Sequence, residues 1–392
     1  MCSTLNTLTL VNSHGATFSS PVKADTEVLL SNTASGQTIQ FADNLSTAAL
    51  TTTANGYNVE LLGTTTSVTG ATEFLNTGAL KLGNAAGDTL TFTSGLVATA
   101  PSSISLGGTV NTINTTMTLG DSGTPLTLVD HLTLNTAGGD LTLGGAVNGT
   151  AANTQSLTLN AASAGAVSVT GTVGQTVSLK TLTLANSNGA TFSSAVTTGT
   201  SVVLSDTVAG QTIRFADDLS TPVLTTTANG YNLELLGSST SVTGNTTFLN
   251  TGSLSLGDGA GDVLTFVGGL VATSARTIHV AGTVGTSNAD IILGTAPVSL
   301  DGNTTFNAGS GDITLNGTVD GGYSLALNST GITTLNAAFG VSTALTSVTT
   351  NAGGTVVMRG GVITTSGAQT YNDDVLLDNS AHATTLNTSN AA

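Results

Sequence analysis

Twenty-two Asp and Glu residues stand against six Lys and Arg, so any chemistry in this chain has to start from carboxylates. The closest-spaced are Asp43 beside Asn44, its echo Asp217-Asp218, and Asp373-Asp374. Hydrolysis of a glycosidic bond needs two carboxyl groups held at a fixed separation across a cleft. Elimination from an acidic sugar also needs a cation to take up the charge that develops. Arg214 is the only strong base near any of these pairs in sequence. A carboxylate in a Gly-, Asn- and Ser-rich turn commonly accepts hydrogen bonds from nearby backbone N–H groups, and that is the role expected here.

Calcium is a second chemistry to weigh. Gly257-Asp-Gly-Ala-Gly-Asp-Val-Leu264 matches part of the nonapeptide repeat Gly-Gly-x-Gly-x-Asp-x-Leu, with Asp262 and Leu264 in register, but Asp258 and Ala260 break it. Its duplicate, Asn84 to Leu90, keeps less of the pattern, and a motif that works in tandem cannot build a site from one degraded copy. The expectation is no dedicated metal centre, only weak, diffuse Ca²⁺ binding by an acidic surface. His14, His131, His279 and His382 are scattered, and the duplication exchanges His14 for Asn188 and His279 for Ser105, a poor basis for ligation. Cys2 is the only cysteine, which excludes an internal disulfide and a Cys-based metal site. No nucleophile elbow, His-Glu-x-x-His pair or phosphate loop occurs. Sequons such as Asn114-Thr-Thr116 and Asn245-Thr-Thr247 are what so Asn- and Thr-rich a chain produces by chance. No residue is assigned a catalytic, cofactor-binding or metal-ligating role.

The elements that would have to position such groups are repeated ones. Gly36-Gln-Thr-Ile-Gln-Phe-Ala-Asp-Asn-Leu45 returns as Gly210-Gln-Thr-Ile-Arg-Phe-Ala-Asp-Asp-Leu219. At the same offset, Gly15-Ala-Thr-Phe18 recurs as Gly189-Ala-Thr-Phe192, Ala54-Asn-Gly-Tyr57 as Ala228-Asn-Gly-Tyr231, and Phe74-Leu-Asn-Thr-Gly78 as Phe248-Leu-Asn-Thr-Gly252. One copy covers about 6–120 and the other about 180–294, with related strand repeats between and after, so residues 1–392 read as one elongated array. Within the copies the commonest word is an apolar-polar-apolar triplet: Leu126-Thr-Leu128, Leu141-Thr-Leu143, Leu157-Thr-Leu159, Leu182-Thr-Leu184. Period two puts the leucines on one face of a strand and Thr on the other. Gly, Asn and Asp follow within a few residues and supply turns. Helix formers are scarce, and no helix is expected.

Two all-β architectures fit. Tandem β-sandwiches would show a repeat near a hundred residues, with aromatic anchors and linkers, whereas aromatics are 4% of this chain. A right-handed parallel β-helix, a β-solenoid, suits the nested repeats better, with roughly 20 to 25 residues per coil, or about 16 to 19 coils at about 4.8 Å each.

Charged residues are 7% of the chain and the net charge is −16, which argues against binding to nucleic acid or to anionic membranes. There is neither a basic-then-apolar leader pattern nor an apolar run of membrane-spanning length. Gly361-Val-Ile-Thr-Thr-Ser-Gly-Ala-Gln-Thr-Tyr-Asn-Asp-Asp-Val-Leu-Leu377 and Thr343-Ala-Leu-Thr-Ser-Val-Thr-Thr-Asn-Ala-Gly-Gly354 resemble modules of very large bacterial β-strand-repeat surface proteins, the filamentous haemagglutinin-like adhesins. The resemblance implies export and use of the solenoid as a stalk or adhesive fibre. The Asn-Pro-Asn secretion signature and a terminal barrel are not seen, so the chain is expected to be an internal segment of a longer exported protein at the cell surface. Its expected partners are a receptor or glycan on a host or neighbouring cell, and a second copy end to end. A carbohydrate-active β-helix enzyme is the alternative reading.

Overall fold

The computed structural model describes residues 5–378 and 383–388. The chain is all-β, with no helix among the described residues, and its parallel strands stack in about 17 turns of a β-solenoid. It divides into two compact units, Met1–Val208 and Ala209–Ala392. Strand pairings among the described residues are parallel, which excludes the antiparallel sandwich array.

In the first unit each turn contributes to three strand ladders. One runs through Leu90, Val110, Leu134, Leu159 and Leu184. A second runs through Ile39, Val59, Leu80, Ile104, Leu126 and Val147. The third runs through Leu96, Met117, Leu141, Val167 and Ala190. The second unit repeats the scheme, with Leu254, Ile278 and Val298 in one ladder, Leu264, Val284 and Phe306 in another, and Leu270, Ile291 and Ile313 in the third. Turn length varies: the turn that carries Ile39 to Val59 is shorter than the one that carries Val147 to Val173. The ladders absorb that variation at the corners.

Alternation decides which face is inside. Leu126, Leu128, Leu141, Leu143, Leu157 and Leu159 are buried and their intervening Thr127, Thr142 and Thr158 are half-buried, as the triplet pattern requires. Each buried leucine contributes about 1.5–3 kcal/mol by leaving water. Most stack on a similar residue one turn away, as Leu141 does on Met117 and Leu157 on Leu132, although Leu128 meets Gly149.

The corners have their own chemistry. Strand Ser103–Asn111 bends from one ladder into the next, and its register shifts between Leu106 and Gly108. Gly108 takes φ +83°, and a Cβ there would lie 2.4 Å from the Asp88 carbonyl oxygen, so only glycine fits. At another corner Asn111, Asn135, Asn160 and Asn186 stack in register. The Asn135 amide donates to Asn111 Oδ1 at 3.2 Å, and Oδ1 of Asn135 and of Asn160 accepts the N–H two residues on, from Ala137 and Ala162. Both alanines sit at φ +54°, a left-handed bend that these side-chain bonds stabilise.

The duplication is out of phase with the winding. Ala16 and Phe18 lie on the second ladder, which continues through Val147 to Val173 and Val196. Their copies, Ala190 and Phe192, lie on the third. The offset between the copies therefore covers seven full turns and two-thirds of another.

Leu143 is 1% exposed. Leu143→Asp buries an unpaired carboxylate and is expected to cost several kcal/mol, while its neighbour Thr142→Asp costs about 1 kcal/mol or less. Chemical denaturation of the two variants measures this, and equal losses would mean the assigned register is wrong.

Candidate functional site

The carboxylate pairs are bound into the scaffold. Asp43 Oδ1 accepts the Asn44 N–H at 2.7 Å, and Asn44 Oδ1 accepts the Thr65 N–H of the next turn at 2.8 Å. The echo is faithful: Asp217 Oδ1 accepts from Asp218 N and Asp218 Oδ1 from Ser239 N, both at 2.8 Å. Each pair thus stitches one corner to the next, as expected of turn residues. Asp373 is 8% exposed, with Oδ1 accepting the Gly354 N–H at 2.8 Å and Oδ2 without a partner among the described residues, while Asp374 is exposed.

In the calcium-like stretch, Asp262 Oδ2 accepts the N–H groups of Asp258 (2.9 Å) and Gly259 (2.8 Å). Asp88 does the same for Asn84 and Ala85. Both aspartates fold their own turn. Among the described residues no three His, Cys, Asp or Glu side chains come together as a metal-binding group.

His131 Nδ1 accepts the Ser156 N–H at 3.1 Å. His279 Nδ1 lies 2.9 Å from Asp301 Oδ2, whose other oxygen accepts the Ser299 hydroxyl, so this Ser, Asp and His form an exposed cross-turn brace. The serine donates to the carboxylate and not to the histidine, the wrong order for activating a nucleophile. His14 is exposed. Cys2 and His382 lie outside the described residues. Arg214 pairs with Glu234 of the following turn at 3.3 Å and not with Asp217 or Asp218.

Sequence reasoning saw the repeated words around Tyr57 and Asn76 without their purpose. The buried Tyr57 hydroxyl donates to the Leu30 carbonyl at 2.8 Å and accepts the Thr53 N–H at 2.9 Å. Asn76, also fully buried, donates to the carbonyls of Tyr57 (3.2 Å) and Ala79 (3.4 Å). Between them Thr52 stands in for a ladder bond: its hydroxyl accepts the Leu75 N–H at 2.7 Å and donates to the Glu73 carbonyl at 3.3 Å. Thr226 repeats this with Leu249 and Thr247.

Just past that interruption, where the third ladder resumes, each unit carries a shallow depression. The first, about 330 Å³, is lined by residues that include Thr72, Glu73, Ser94, Gly95 and Val97. The second, about 310 Å³, is lined by their counterparts Thr246, Thr247, Gly268, Gly269 and Val271, together with Asp290 and Ile292. The duplication brings both into being, and no motif in the sequence marks either.

No protein-family model, no curated protein and no solved structure matches this chain.

The Thr124 hydroxyl, then the Gly123 N–H, hold Asp121 below the ordinary aspartate range. The His131 and Ala86 N–H groups do the same for Asp130. A lowered folded pKa gives stability that is present above the unfolded value and is lost as pH falls through the folded one. Carboxyl chemical shifts followed by NMR are therefore expected to titrate at lower pH for Asp121 and Asp130 than for free aspartate. Titration at the ordinary value would show that the corner bonds do not persist in solution.

Proposed function

We propose that this chain is a non-enzymatic structural stalk or adhesive segment of a secreted bacterial surface protein. The observation that supports it is where the polar chemistry goes: Asp43, Asp88, Asp217, Asp218 and Asp262 all accept backbone N–H groups that hold turns or join one turn to the next. An enzyme on the same scaffold needs carboxylates released from such duty and facing a cleft. No helix among the described residues is long and apolar enough to cross a membrane. Stacked turns suit a spacer, since length is added by repetition without a new core design.

Two measurements test this together. Antibody against the purified chain is expected to label intact cells of the producing organism without permeabilisation. The chain incubated with neutral and acidic polysaccharides is expected to release no new reducing ends or unsaturated sugars. Labelling that requires permeabilisation would remove the surface role, and cleavage abolished by Asp373→Asn or Glu73→Gln would replace the stalk with a carbohydrate-active enzyme.

A further inference from the structure

The two depressions share a floor and differ at the rim. Thr72, Gly95, Leu96 and Val97 are repeated identically as Thr246, Gly269, Leu270 and Val271. At the rim Glu73 is exchanged for Thr247 and Thr116 for Asp290. Each depression thus keeps one exposed carboxylate, although the two come from opposite sides of the floor, and Asp290 Oδ1 also accepts the Asp312 N–H of the next turn at 2.9 Å, a bond that leaves its charge in place. No Lys, Arg, His or aromatic residue lines either, so a sugar ring finds no stacking platform and an anion finds no counter-charge.

What fits is a flexible aliphatic stem ending in a cation. The stem lies on Val97 or on Val271 and Ile292, and the ammonium group reaches the rim carboxylate, the geometry by which lysine covers apolar surface while keeping its charge in water. A chain of net charge −16 also draws cationic partners toward it.

We propose that each depression receives a lysine side chain of a cationic partner polypeptide, so that the chain offers two such sites. The biological sense of this rests on the adhesive reading above, but the binding itself does not depend on where the protein resides.

The test is titration of the purified chain with a peptide of alternating lysine and glycine, followed by calorimetry. Glu73→Gln combined with Asp290→Asn is expected to weaken binding by about tenfold, the scale of losing a well-placed charge pair. Glu27→Gln combined with Asp258→Asn removes the same charge elsewhere and is expected to change affinity by less than about twofold. Ser94→Tyr with Thr247→Tyr fills both depressions without altering charge and is expected to weaken binding as much as the first pair. Circular dichroism confirms that each variant is folded. Absence of binding by the unmodified chain overturns the proposal, as does equal weakening by the control pair, which would mean diffuse attraction to a polyanion. Undiminished binding by the filled variant overturns it too. None of these results bears on surface exposure of the protein, which the cell-labelling experiment decides separately.

Discussion

Every strand in this protein must find its backbone partners one turn behind and one turn ahead, and almost everything else follows from that. A buried N–H or C=O left unpaired costs as much as several well-made contacts return. The chain therefore cannot vary where the ladders run, and variation is expelled to the corners. The short turn from Ile39 to Val59 and the longer one from Val147 to Val173 both return to parallel register, the first over four residues and the second at a single bridge, because the extra residues leave the ladder at the corners. The same demand explains the glycine at 108 and the asparagines at 135 and 160, which let the backbone bend sharply while accepting its N–H groups.

Where a ladder is broken, a side chain takes over. At Thr52 and Thr226 a hydroxyl joins the next turn through both a donated and an accepted bond, and each threonine is only 2% exposed. Not every inward polar atom is met: Thr66 and Thr240, equivalent in the two copies, place hydroxyls in the core with no partner among the described residues. Retention of an unsatisfied group in both copies fits inheritance from one ancestral unit, with the surrounding apolar rows carrying the cost.

Much of this was legible in the sequence, for a simple reason. Period-two triplets such as Leu141-Thr-Leu143 state both the strand and its inner face, and the turn residues that follow state where it ends. The fate of the aspartates was legible too, since Asp88 and Asp262 sit in turns short enough to fold back on their own N–H groups. What could not be read was which residues become neighbours across turns. Tyr57 reaches Leu30 across 27 residues, and Thr52 reaches Leu75 across 23. Because turn length drifts, no fixed spacing predicts such partners. The depressions lay beyond reach for the same reason, being made by three stretches that meet only after winding.

The mismatch between the repeat and the winding bears on how such a chain can arise. Phe18 and Phe192 occupy the same place in their copies yet belong to different ladders. If a copied gene segment had to join the parent only after whole turns, most recombination events would be lethal, since the crossover point would need to match a particular residue. Here one strand and its corner are enough of a module to be joined in, because each of the three sides accepts the same kind of strand. The duplication seen here is one such joining, at two-thirds of a turn past a whole number.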